Sequence, residues 1–186
     1  MEIIGDGVEG EHTSGEEVTM QESARIQRNK DRLGECHPQF SARLNRVILA
    51  LEAQDFRPRI QDAWRSKQDQ LIAFQTHHSD VTFGFHNATG PNGEKMALAV
   101  DLLDDDNPLD SPVRYLLALA IAARDHGLTT GILWHRKGQP ALVEAEAAIV
   151  ARNIDEKVHV GWDPTHVEVV GVSLAEAQQG DFSKVV

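Results

Sequence analysis

The chain predicts an α+β domain, a small antiparallel sheet flanked by helices. Helix-like and strand-like patterns are mixed along residues 23–186 without the regular strand–helix–strand repeat of a parallel sheet. A late stretch, His166-Val167-Glu168-Val169-Val170-Gly171-Val172, alternates as a half-buried strand does. With 186 residues, 41% hydrophobic and 25% charged, the chain is long enough for one domain with a core and short for two.

Residues 1–22 are rich in Glu, Gly, Ser and Thr and poor in large apolar groups, which predicts a flexible acidic tail. A short polar helix is expected over residues 20–33. Ser41 is placed as the N-cap of a clearer helix, because Leu44, Val47, Ile48 and Leu51 follow at i, i+3, i+4 and i+7. Residues 57–64 carry Ile60 and Ala63 between polar neighbours and read as a short strand. Ser66 caps a helix reaching Gln75, with Leu71, Ile72 and Phe74 expected inside. A loop over residues 77–83 leads to His86. Thr89-Gly90-Pro91-Asn92-Gly93 is a strong turn signal.

Residues 96–103 read as a strand. Ser111 followed by Pro112 reads as an N-cap with proline at the first helical position. That helix carries Tyr115, Leu116, Leu119, Ala122 and Ala123 and stops at Gly127. Residues 131–135 read as a strand and residues 142–152 as an Ala/Glu-rich helix. Ser173 and Glu176 form a capping box that opens a last helix.

A net charge of −11 excludes a general nucleic-acid-binding role and simple docking on anionic membranes, and it suits a cation site. The single cysteine, Cys36, allows no intrachain disulfide and reads as a small core residue rather than a nucleophile. The first residues lack a basic and then apolar leader, and no run of 18 apolar residues occurs, so neither a secretory signal nor a membrane span is expected. No internal repeat is visible, and a monomer is expected.

Four residues carry the chemistry. His86, Asp101 and His166 offer two imidazoles and a carboxylate, a donor set that suits catalytic zinc with one position open. Asp163 stands three residues before His166, where a carboxylate can accept a proton from water held at the same point. Each residue has a plainer reading. Asp101 can face solvent at a strand end beside Asp104-Asp105-Asp106, and His166 can be an ordinary strand histidine. The Asp104–Asp106 run has no EF-hand pattern and reads as a solvated charge run rather than a calcium site. His77 and His78 read as a solvated loop pair, His126 and His159 as structural, and His135 as a neighbour of the site. Trp134 and Trp162 either line a cleft or pack in the core.

In this order the residues resemble a known family. Trp64-Arg65-Ser66, Phe85-His86-Asn87, Ala97-Leu98-Ala99-Val100-Asp101 and Asp163-Pro164-Thr165-His166-Val167-Glu168 are similar to the motifs of the zinc peptidases that cleave D-amino-acid-containing cell-wall peptides. That family comprises D-Ala-D-Ala carboxypeptidases, D,D-dipeptidases and L-alanyl-D-glutamate endopeptidases, several phage endolysins among them. Cys36-His37-Pro38-Gln39-Phe40 and the helix after it resemble the family's opening helix, so the likeness covers roughly residues 33–172.

The resemblance implies the fold shared by these peptidases and the amino-terminal Hedgehog domain. It implies Zn2+ held by His86, Asp101 and His166, Asp163 as catalytic base, and Arg65 binding substrate or steadying the oxyanion. The substrate implied is a peptidoglycan stem peptide, cut as an L-Ala-D-Glu endopeptidase or a D,D-carboxypeptidase cuts it. The protein would be made in the cytoplasm and would reach the wall by release or export.

The departures are a longer step of fifteen residues from His86 to Asp101, Gly84 where the family often has serine, and Asp rather than Glu as base. The extra residues, 87–95, are turn-rich, and added loop length costs little. Two rival readings belong to other classes: a catalytically inactive zinc-containing binding module of the same fold, and a metal-free acidic interaction domain.

Overall fold

The structure is a computed structural model that describes residues 13–77 and 79–185. Its elements in chain order are α1 (Thr13–Leu33), α2 (Pro38–Glu52), β1 (Pro58–Asp62), α3 (Lys67–Gln75), a 3-10 turn (Phe85–Asn87), β2 (Ala99–Asp104), α4 (Val113–Asp125), β3 (Leu128–Gly131), α5 (Val143–Ala151), β4 (Asp163–Val169) and α6 (Leu174–Gln179). The four strands form one sheet in the order β1-β2-β4-β3, and every pairing is antiparallel. The expected α+β architecture, a small antiparallel sheet flanked by helices, is the one observed.

One face of the sheet packs on helices. Leu117, Leu119 and Ala123 of α4 are fully buried, and so are Leu44, Val47 and Leu51 of α2. Every residue of α4 from Tyr115 to Ala123 is buried. A helix apolar on all sides belongs in a core, and α4 sits there between α2, α5 and the sheet. Tyr115 brings a hydroxyl into this layer, and it donates to the Leu102 carbonyl at 3.1 Å.

Helix α1 covers the free edge of β1 with polar groups. The Asn29 amide donates to the Pro58 carbonyl and accepts from the Ile60 amide, each at 2.8 Å. Buried Arg25 donates to the same Pro58 carbonyl and to Glu52, and it pairs with Glu22. An edge strand engaged in this way cannot template another strand. Residues 1–12 of the expected tail lie outside the described residues. The helix itself begins at Thr13, inside the stretch whose composition predicts a tail.

Several local expectations are corrected. The N-cap of α2 is His37, whose ring accepts from the Gln39 amide, and Pro38 fills the first helical position; Ser41 lies a turn inside. Helix α4 starts one residue later than predicted, with Pro112 as the cap, and Ser111 instead accepts from the Asp104 amide at 3.2 Å. The strand expected over residues 131–135 ends where it was to begin. The Trp134 amide turns back onto the Gly131 carbonyl at 3.0 Å, so residues 132–134 form a turn.

In α3 the Ser66 cap is as expected, but Leu71, Ile72 and Phe74 are exposed and Gln70 is the buried residue. The amide of Gln70 is spent on Ser79, Val81 and Arg65, so hydrogen bonds rather than apolar burial dock this helix. Cys36 is in the core as expected, and burial pushes its thiol up to about 12, which removes it from nucleophilic chemistry.

The Asp104–Asp106 run is tied up by its neighbours. Arg59 and Arg57 pair with Asp105, Arg57 also with Asp106, and buried Asp104 accepts from Asn107 and from the Asp106 amide. Among the described residues, no helix is long and apolar enough to cross a membrane.

Candidate metal centre

Strand register brings the site together. Asp101 of β2 stands directly opposite His166 of β4, and Asp62 of β1 stands opposite Asp101 on its other side. Directly opposed residues project to the same face of a sheet. Asp62, Asp101 and His166 therefore form a row across three strands. The intervening Val100, Leu102 and Val167 point the other way and are fully buried. This alternation explains how a carboxylate survives in the run Ala97 to Leu103: its neighbours fill the core while it faces the cleft.

His86 arrives from outside the sheet. Its step to Asp101 folds back on itself. Thr89 bridges Lys95, the Met96 amide donates to the Ala88 carbonyl at 3.1 Å, and the Leu98 amide donates to the Phe85 carbonyl at 3.0 Å. The turn-rich residues thus form a closed excursion that returns the chain beside its start. On the other side, the Arg65 amide donates to the His86 carbonyl at 2.9 Å, and the Asn87 side chain donates to the Arg65 carbonyl at 2.8 Å.

Three donor atoms face one point. His86 Nε2 and His166 Nδ1 are 3.4 Å apart, and Asp101 Oδ1 lies 3.6 Å from the first and 3.4 Å from the second. A point equidistant from the three lies about 2.0 Å from each, within the range of zinc–nitrogen and zinc–oxygen bonds. The remaining ring nitrogens are fixed as metal-binding histidines require. His86 Nδ1 donates to the Ala63 carbonyl at 2.7 Å, and His166 Nε2 donates to Glu168 at 3.0 Å. Each bond holds a proton on the far nitrogen, so the inward nitrogen is the one a metal would take, displacing a proton from His166. The donor set fits a divalent metal ion, and among the described residues His86, Asp101 and His166 are the group able to hold one.

The charges agree. Burial alone would raise the Asp101 carboxyl, but His86 and His166 outweigh it and hold the group ionised well below the usual carboxylate range. Burial lowers His166, yet Asp101 and Glu168 raise it to about 9. The Asp163 carboxyl is raised, first by burial and then by Asp101, against the pull of His166, His86 and Arg65. Asp101, Asp163 and Glu168 thus crowd one cleft with a single arginine, an excess of negative charge that a cation offsets.

The Asp163 side chain reaches the same place through an irregularity. Thr130 pairs with Val167 while the next residue, Gly131, pairs with Asp163, so residues 164–166 have no partner on β3 and β4 bulges there. The bulge puts Asp163 Oδ2 3.9 Å from His166 Nδ1, farther than the three donors are from one another. Arg65 lines the cleft too. Its guanidinium is gripped by Asp62 at 2.6 and 2.9 Å and by Gln70 at 3.0 Å, and it reaches to 4.0 Å from Asp101. Its ion pair with Asp62 thus lies inside the cleft.

Trp134 and Trp162 close the far wall, with Trp134 4.9 Å from the His166 ring. The cleft encloses about 510 Å3. His77 and His135 are exposed and take no part in the donor triangle, and His78 lies outside the described residues.

Sequence reasoning did not single out Asp62, Gln70 or Glu168. Glu168 carries a readable signal, since the second residue after His166 on a strand shares its face. Gln70 carries none, because a glutamine on a polar helix looks solvated. With Glu168 changed to Gln, His166 keeps its packing but loses its anionic partner. We expect the metal dissociation constant to rise about 10–100-fold, measured by competition with a chromogenic chelator.

No family model matches the chain, and no curated protein matches it. Among solved structures it is similar to the Serratia marcescens L-Ala D-Glu endopeptidase ChiX, with 18% identity over 77% of this chain and 86% of that one and a TM-score of 0.47. It is also similar to the LdcB LD-carboxypeptidase, with 18% identity, 80% and 71% coverage and a TM-score of 0.44. The roles assigned below rest on the site itself.

The backbone that carries Trp134 and Trp162 leaves no room for added atoms at Gly161. A Cβ at Gly161 would overlap the Gly131 carbonyl and stand 2.5 Å and 2.8 Å from the Trp134 carbonyl oxygen and amide nitrogen. All three are backbone atoms that cannot turn aside. Gly161→Ala should therefore destabilise the domain by about 1–3 kcal/mol, read as a lowered thermal midpoint.

Proposed function

We propose that the protein is a zinc metallopeptidase acting on peptidoglycan stem peptides. The carrying observation is the triangle of His86 Nε2, Asp101 Oδ1 and His166 Nδ1, with sides of 3.4–3.6 Å and both outer ring nitrogens held by hydrogen bonds. Beside it stand a carboxylate outside the triangle and a fixed guanidinium. The ordered motifs around Arg65, His86, Asp101 and Asp163 supply the substrate class.

His86, Asp101 and His166 would hold the zinc. When bound, zinc lowers the pKa of a water molecule and polarises a carbonyl. Asp163 accepts the proton of the attacking water and returns it to the departing amine. Arg65, immobilised by Asp62 and Gln70, presents positive charge where the carbonyl oxygen becomes negative. The indoles of Trp134 and Trp162 wall the cleft on that side. A base and a guanidinium beside the triangle favour an active site over an inactive zinc module.

The test pairs elemental analysis of the purified protein with mass spectrometry of digested peptidoglycan. Near one zinc per chain and new peptide ends are expected. A metal-free chain that leaves peptidoglycan intact even with added zinc would overturn the reading.

A further inference from the structure

On the far side of Trp134 and Trp162 from the metal cleft lies a second cavity of about 610 Å3. Both indoles wall both cavities. The partition is held by backbone bonds. The Gly161 amide donates to the Ile132 carbonyl at 2.6 Å and the Trp162 amide to the Trp134 carbonyl at 3.2 Å. The rings lie 5.5 Å apart, inclined at 41°. The rest of the cavity is supplied by the long connection between β3 and β4, to which sequence patterns assign no role. Ala141 and Ala145 leave space, and His135, Glu144 and His159 add polar groups. Glu144 and His159 have no hydrogen-bond or ion-pair partner among the described residues.

We propose that this cavity is a second subsite for the same substrate molecule and takes the neutral sugar ring from which the stem peptide hangs. The proposal rests on the peptidoglycan reading. Continuity comes from the shared wall: Trp162 is exposed at its edge, so a ligand at the metal centre reaches the second cavity over that edge rather than through the partition. Chemistry selects the occupant. Indole faces suit the C–H-rich face of a pyranose, and imidazole and carboxylate groups suit its hydroxyls and acetamide. A continuing stem peptide brings carboxylates. The one lining group of full charge is Glu144, and no lysine or arginine lines the cavity; Arg136 lies over the Trp162 ring, 5.9 Å from its centroid, without lining the cavity. The reacting bond then lies close to the sugar, so cleavage is internal rather than at the peptide's carboxyl end.

The test measures binding to the zinc-loaded Asp163→Asn protein by calorimetry. The ligands are an N-acetylmuramyl tripeptide and the same tripeptide without the sugar. The muramyl ligand should bind about tenfold more tightly, a difference of about 1.4 kcal/mol. Ala141→Trp, which fills the cavity, should bring the two affinities together, and His159→Ala should narrow the gap. Equal affinities in the Asp163→Asn protein would overturn the subsite and leave the peptidase reading standing. Failure of both ligands to bind would overturn both. A tenfold preference surviving both cavity variants would place the sugar elsewhere and end the proposal.

Discussion

Changing Asp163 to Asn should slow peptide hydrolysis by about 10²–10⁴-fold while the zinc content stays at its original level. The expectation follows from where the carboxylate stands. Asp163 Oδ2 lies 3.9 Å from His166 Nδ1, outside the triangle of donors that are 3.4–3.6 Å apart. It shares their cleft and can reach a water there, but under the proposed function the other three would complete the metal's protein ligands. Asparagine keeps the size and the bulge, and it cannot accept a proton. Elemental analysis and initial rates on the same preparation separate the possibilities. A full-rate Asn variant would remove Asp163 from the chemistry, and a variant that lost its zinc would make Asp163 a ligand.

The readable parts of the fold were those fixed by local chemistry. The face Leu44, Val47, Ile48, Leu51 is buried as a helical repeat demands, and the Ser173–Glu176 capping box is present in both directions. Local rules failed where a distant partner decides. Ser111 is a good N-cap by type, but the Asp104 amide claims its hydroxyl. Leu71, Ile72 and Phe74 look like a core stripe, yet Gln70 turns inward because Arg65, Ser79 and Val81 all need its amide. Residues 131–135 have strand composition, but after Gly131, where a Cβ would collide with the Asp163 carbonyl, the chain turns back through the Trp134 amide instead of pairing on.

The site was legible to a similar degree. His86, Asp101, Asp163, His166 and Arg65 do meet in one cleft. The long step from His86 to Asp101 departs from the spacing of the family the chain resembles, and the Thr89–Lys95 bridge closes it. What one sequence withheld were the groups that orient the site, the Ala63 carbonyl and the Asp62 carboxylate. A backbone carbonyl has no residue type to read, and Asp62 acquires its place from a register shift between Ile60 and Asp62.

The largest effect on metal is expected at His86. His86→Ala removes one of three donors and should take the zinc content from near one per chain to near zero at micromolar free metal. Asp101 and His166 remain as a two-donor site, too few for the three protein ligands catalytic zinc sites use. The substitution also strands the buried Ala63 carbonyl, which His86 Nδ1 now satisfies at 2.7 Å. An unsatisfied buried acceptor costs about 1–3 kcal/mol, so the variant should melt earlier than the metal-stripped parent. That comparison makes the prediction specific, because chelation removes the ion and leaves the hydrogen bond. Thermal melts of the parent, the chelator-treated parent and His86→Ala should therefore fall in descending order. If the variant retains near-stoichiometric zinc, the metal lies elsewhere and the triangle does not bind it. If it melts with the chelated parent, the Ala63 bond contributes nothing to stability.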